Sequence, residues 1–217
     1  GNRAKVVSVQ EQFGDQIEKY PETNLFGTFQ RWNAATAIAT CRPLEQMFPG
    51  LLEVSQSALQ CVDWPGRWQK IELPCERTLI LDATHNHEGS YFLDENLSYL
   101  ESELGHKPWI VAGTLGEFRA KFLIPVAARH ARELFLLETQ QPRSATFEDL
   151  RRWIPDGVDL PVINANKETL FPSIQSCSIG EPGDTIVVTG SIYLLGEVLE
   201  RLTGQEAETG AALQDLP

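Results

Sequence analysis

The sequence has no run of about 18 apolar residues, the length a helix needs to cross a bilayer, so no membrane span is expected. Basic residues are scarce: 18 Lys and Arg stand against 30 Asp and Glu in 217 residues, a net charge of −12. Surfaces that track nucleic acid or anionic lipid are basic, so neither is an expected partner. A small anionic ligand is compatible with this charge, provided that local arginines oppose the general field. Cysteine is sparse and unpatterned. Cys41, Cys61, Cys75 and Cys177 form no C-x-x-C pair and have no metal-type partner at short spacing, which reads as thiols in a reducing compartment. Gly1-Asn2-Arg3-Ala4-Lys5 leads into no apolar run of signal-peptide length, and a cytoplasmic protein is expected. Missing too is any glycine-rich loop followed by lysine, the cradle of phosphate-loop enzymes.

What is present is a globular composition. With 42% hydrophobic residues the chain can bury a sizeable core, and its length suits one full domain with an appendage. The first thirty residues are polar, with Lys5 to Gln10 a possible strand. Thr28 to Thr40 is alanine-rich and predicts a close-packed helix that Pro43 ends. Leu51 to Val62 predicts a second, with Leu51, Val54, Ala58, Leu59 and Val62 on one face. Asp63-Trp64-Pro65-Gly66-Arg67 breaks the pattern. The expected domains are therefore 1–62, mainly helical, and 63–204, with 205–217 an acidic tail.

Beyond the break, short apolar runs alternate with amphipathic segments. The runs are 78–83, 109–114, 133–138, 160–164 and 185–190. Helices are expected at 89–104, 119–130, 146–153, 167–176 and 192–202. This alternation predicts a doubly wound α/β domain with a mostly parallel sheet covered on both faces. Such a domain places its ligand beyond the carboxyl ends of its strands. Polar residues gather there: Asp82, Thr84, His85 and Asn86; Gly113 and Thr114; Glu138, Thr139 and Arg143; Gly190 and Ser191. Each group alone has a plain reading as a turn or helix cap, and their convergence is what points to a site. His85-x-His87 lacks a third ligand, so no metal site is expected.

Three segments carry a family resemblance: Leu81-Asp82-Ala83-Thr84-His85-Asn86, Trp64-Pro65-Gly66-Arg67-Trp68-Gln69, and Thr189-Gly190-Ser191-Ile192-Tyr193 running on to Val198. They resemble the D-x-A-H-N-P, P-G-R and G-S-x-Y motifs of the folylpolyglutamate and dihydrofolate synthases, members of the Mur ligase superfamily. Gly27 to Ala35 resembles the G-x-H-Q-x-x-N-A-A stretch closing that family's central ATP-binding domain, and Pro142-Arg143-Ser144 resembles its P-R-A segment. The resemblance covers Phe26 to Leu202. His87 stands where the family has proline, Phe29 where it often has histidine, and Gly116-Glu117-Phe118-Arg119 where many members carry an Asp-Lys-Asp run. The family's phosphate-binding loop and central magnesium ligands have no counterpart, and full members are about twice this length by ordinary domain sizes.

The resemblance implies an ATP-dependent ligase. A folate or dihydropteroate carboxylate would become an acyl phosphate, which the amino group of L-glutamate displaces. ATP and Mg2+ would be the cofactors, with the magnesium ligands in an N-terminal ATPase domain missing here, so that the chain alone is expected to be inactive. Arg67 would contact nucleotide phosphate or ribose, Asp82 the ribose hydroxyls, and Asn33 and Gln30 the adenine edge. His85 would orient the incoming glutamate or take its amine proton. Ser191, at a helix start, and Arg143 would meet carboxylate or phosphate. His85 and Asp82 are thus the catalytic candidates. Two other readings stand beside this one: an inactive nucleotide-binding or interaction module of the same fold, and a Mur-type ligase for another amino acid.

Overall fold

The computed structural model describes residues 6–204, so the acidic tail at 205–217 lies outside the described residues. The chain divides into two compact units, Gly1–Arg67 and Trp68–Pro217. The division falls directly after the Asp63-Trp64-Pro65-Gly66-Arg67 break, and Gly66 and Trp68 on either side of Arg67 take positive φ of 77° and 52°.

The first unit is helical. Where a strand was expected from Lys5 to Gln10, Ser8 caps a short helix α1, Val9–Phe13, by accepting from the Glu11 amide. Helix α2, Thr28–Leu44, runs one turn further than expected and carries Pro43 within its final turn. Its buried side is Ala34, Ala35, Ile38 and Ala39, and such small residues let neighbouring segments approach closely. Tyr20 stands edge-on to Trp32 at 4.7 Å between ring centroids and donates to the Gly14 carbonyl. Helix α3 spans only Leu51–Ala58 and buries none of its residues, Val54 being 66% exposed. After it the backbone bonds shift to a tighter three-residue spacing, Gln60 to Ser57 and Cys61 to Ala58, which ends the helix before Val62.

The second unit is a six-stranded sheet in the order β1-β2-β6-β3-β4-β5. The strands are β1 Gln69–Leu73, β2 Arg77–Asp82, β3 Trp109–Ala112, β4 Glu133–Leu137, β5 Val162–Ala165 and β6 Thr185–Thr189. All neighbouring pairs are parallel except β1 with β2. The five parallel strands are those the apolar runs predict. Strand β1 is an addition: it lies at an edge, alternates part-buried and exposed residues, and gives no continuous apolar signal.

The connecting helices are α4 His87–Leu104, α5 Glu117–His130, α6 Phe147–Arg151, α7 Lys167–Leu170 and α8 Ile192–Thr203. Helix α7 is a single turn, far shorter than the expected 167–176, because Pro172 cannot continue it. Alternate strand residues face opposite sides. Ile80, Ile110, Leu134, Leu136 and Val187 pack with Leu93, Leu97, Leu123 and Leu150 from α4, α5 and α6. Leu79, Leu81, Val111, Ile186 and Val188 pack with Leu170, Leu194, Val198 and Leu202 from α7 and α8. The sheet is therefore a doubly covered α/β core, and no helix among the described residues is long and apolar enough to cross a membrane.

Candidate functional site

The parallel register brings the carboxyl ends of three strands together. Asp82, the last residue of β2, lies opposite Thr189, the last of β6, and Ala112 of β3 lies on the other side of Thr189. The chain beyond each end supplies the polar residues singled out in the sequence.

After β2, Asp82 is buried, and its Oδ1 accepts from the Thr84 amide across a short turn. His85 Nδ1 lies 2.7 Å from the Ala83 carbonyl oxygen. A carbonyl only accepts, so Nδ1 carries the hydrogen and, in the neutral ring, Nε2 keeps its lone pair. Asn86 caps α4 by accepting from the Gly89 amide at 2.7 Å. After β6, Ser191 is 2% exposed and caps α8 by accepting from the Tyr193 amide at 3.2 Å. After β4, the segment through Arg143 folds back toward β3: the Gly116 amide donates to the Arg143 carbonyl and the Ala145 amide to the Thr114 carbonyl. Asp82, His85, Ser191 and Arg143 therefore all follow strand ends on one edge of the sheet.

Two glycines let these ends approach. A Cβ on Gly113 would lie 2.3 Å from the Leu137 carbonyl oxygen, and one on Gly190 would lie 2.3 Å from the Gly113 carbonyl oxygen. Gly190 also holds φ at +118°, which aims the chain from β6 into Ser191.

Sequence reasoning missed a buried ion pair here. Lys167 Nζ, just past β5, donates to Glu197 Oε2 on α8 at 3.0 Å, and the side chains are only 10% and 11% exposed. Glu197 Oε1 accepts from the Gln140 amide at 2.8 Å, so one carboxylate ties α8 to the chain beyond β4 and β5. Thr139 Oγ1 and Thr189 Oγ1, at the ends of β4 and β6, are buried without a hydrogen-bond partner. Unpaired buried hydroxyls are uncommon in folded proteins, and both lie at this edge.

Arg67, Gln30 and Asn33 belong to the first unit. Arg67 is half-buried at its last position. Gln30 is buried in α2, and its Oε1 accepts from Asn33 Nδ2 at 2.9 Å, so these two amides are joined to each other. A cavity of about 550 Å³ lies beside β3, β4 and β5, lined among others by Trp109, Arg132, Phe135, Ile163 and Asn166. The edge residues thus offer hydroxyl, imidazole, carboxylate and guanidinium groups suited to ribose and carboxylate recognition. Nothing in the sequence supplies a lysine-bearing phosphate loop, so no residue here is assigned to magnesium or to a γ-phosphate.

No protein-family model matches the chain. A curated relative is the UDP-N-acetylmuramoyl-L-alanyl-D-glutamate–2,6-diaminopimelate ligase of Aquifex aeolicus, 26% identical over 175 residues, which are 77% of this chain and 34% of that protein. Among solved structures, the bifunctional folylpolyglutamate synthase/dihydrofolate synthase of Yersinia pestis, complexed with AMPPNP and Mn ion, superposes with a TM-score of 0.62 at 24% identity. It covers 83% of this chain and 40% of that one. The folylpolyglutamate synthase of Thermotoga maritima gives a TM-score of 0.60 at 20% identity, covering 85% and 41%. The chain thus spans about a third of the curated relative it matches and about two fifths of the structures. The fold is that of folylpolyglutamate synthase structures, and the curated relative is a Mur ligase of the same superfamily.

Proposed function

We propose that this chain is the C-terminal part of an ATP-dependent ligase that adds L-glutamate to a folate or dihydropteroate through an acyl phosphate. In this reading residues 1–62 are the end of the central ATP-binding domain. The observation that carries it is the gathering of Asp82, His85 and Ser191 on one sheet edge, in motifs that resemble those of the folate ligases. Asp82 would accept from ribose hydroxyls, with Arg67 on phosphate and Asn33 and Gln30 toward adenine. His85, its Nδ1–H held by the Ala83 carbonyl, would present Nε2 to the incoming amino acid. The α8 amino end at Ser191, with Arg143, would meet a carboxylate or phosphate. ATP and Mg2+ are the cofactors, with the γ-phosphate cradle and the metal ligands supplied by residues other than those in this sequence.

One observation favours a second reading, a Mur-type ligase for another amino acid. The curated relative is a diaminopimelate ligase, so the amino acid joined is to be tested as glutamate against diaminopimelate.

Phosphoryl transfer rests on a phosphate cradle and metal ions. Incubated with ATP, magnesium, L-glutamate and a reduced folate, the purified chain should form neither ADP nor product. Steady turnover that disappears in Arg67→Ala would show a self-sufficient enzyme and overturn the reading of these residues as one part of the machinery.

A further inference from the structure

Helices α4 and α5 start at the carboxyl ends of β2 and β3, and their first turns carry aromatic residues four positions apart. Residues so spaced share one helix face. On α4 these are His87 and Tyr91, with ring centroids 5.0 Å apart and the Tyr91 hydroxyl 3.2 Å from His87 Nε2. On α5 they are Phe118 and Phe122, 5.4 Å apart and edge-on. His87 and Phe122 join the two pairs at 4.5 Å. The result is a continuous row of four rings on the edge that carries His85. Tyr91 is 63% exposed and Phe118 75% exposed. Lys121 Nζ lies 5.7 Å from the Phe122 ring centroid, a cation beside the row in a chain whose net charge is −12.

The size of this surface decides what it fits. Two largely exposed rings offer on the order of 300 Å². A stable protein interface takes about 800 Å² from each partner. The row is too small for a protein and matches a single planar ring, with the Lys121 ammonium placed for an anionic group on the same molecule. Within each pair the rings lie edge-to-face, and His87 and Phe122 are tilted by 57°, which presents hydrogen-bearing edges and π faces to a stacked ligand. We infer that His87, Tyr91, Phe118 and Phe122 form an aromatic shelf that binds the planar aryl portion of an anionic acceptor substrate. This rests on the ligase reading above and adds to it the residues that hold the acceptor's ring.

The test titrates the full chain with p-aminobenzoyl-L-glutamate, following side-chain ring resonances by NMR, with L-glutamate and cyclohexanecarbonyl-L-glutamate as comparisons. The aryl compound should move the resonances of His87, Tyr91, Phe118 and Phe122 saturably, while L-glutamate leaves them in place. Phe118→Ala and Tyr91→Ala remove exposed rings and should keep the unfolding temperature, yet each should weaken aryl binding by about fivefold. Equal affinity for the cyclohexyl compound, unchanged affinity in Phe118→Ala, or no shift in the four rings would each overturn the shelf. A parallel titration with magnesium ADP separates the two levels of the account. Nucleotide shifts at Asp82 and Ser191 without aryl shifts sink the shelf alone, and loss of both sinks the ligase reading as well.

Discussion

Gly190→Ala should be among the most damaging single changes in the second unit. The new Cβ would meet the Gly113 carbonyl oxygen at 2.3 Å and Leu123 Cδ2 at 2.6 Å, at a residue whose φ is +118°. The backbone conformation alone costs an alanine about 1–3 kcal/mol, and forcing atoms into a packed site adds about 1–3 kcal/mol. A combined loss of roughly 3–5 kcal/mol should lower the unfolding temperature by roughly 10 °C or more. Relief by backbone movement would displace Ser191 and the start of α8, because Gly190 is the only residue between β6 and that cap. Thermal unfolding followed by circular dichroism reads this directly. An unfolding temperature within about 2 °C of the parent, an effect below 1 kcal/mol, would show that the three strand ends do not pack as described.

The Glu197 carboxylate should matter nearly as much. Glu197→Leu leaves the Lys167 ammonium, 10% exposed, without its partner, and frees the Gln140 amide. Removing one member of a buried ion pair costs about 3–5 kcal/mol, because the other charge stays buried and uncompensated. Replacing both by apolar residues of similar size is often close to neutral. Lys167→Met combined with Glu197→Leu should therefore be more stable than Glu197→Leu alone. Urea unfolding of the two single variants and the double variant yields the coupling energy. Additive losses would mean that the two charges act independently.

The four central strands β2, β6, β3 and β4 were legible because each is covered on both faces, which leaves an unbroken apolar run such as Thr185–Thr189, buried at every position, whereas β5, at the far edge with Ile163 and Asn164 exposed, was legible from its short apolar run alone. The edge strand β1 was not, since one side of it is wet and its Lys70 and Glu72 look like loop residues. Strand order was invisible for a different reason. Nothing local tells β6, the last strand in sequence, to insert between β2 and β3. The stretch Lys167–Ser176 reads as a helix by composition, but Pro172 limits it to one turn. The placement of Asp82, His85 and Ser191 at or just beyond strand carboxyl ends could be read from the strand pattern alone. Lys167 and Glu197 could not, because they are 30 positions apart and each resembles a solvated charge on an amphipathic segment. The ring row was present as two i, i+4 aromatic pairs, His87 with Tyr91 and Phe118 with Phe122. Only the packing of α4 on α5 joins them.

The most direct test of the ligase reading is a titration of the chain with magnesium ADP, followed through the backbone amide resonances. In the ligase reading the chain supplies one side of a two-sided site, so the expected dissociation constant is in the high micromolar range or weaker. The shifts should be saturable and centred on the segments after β2 and β6, at Asp82 to Asn86 and Gly190 to Tyr193, and Asp82→Asn should weaken them while the fold is kept. Saturable shifts confined to the cavity between Trp109, Arg132 and Ile163, or no shift at millimolar nucleotide, would contradict the assignment of this sheet edge as the nucleotide and substrate site.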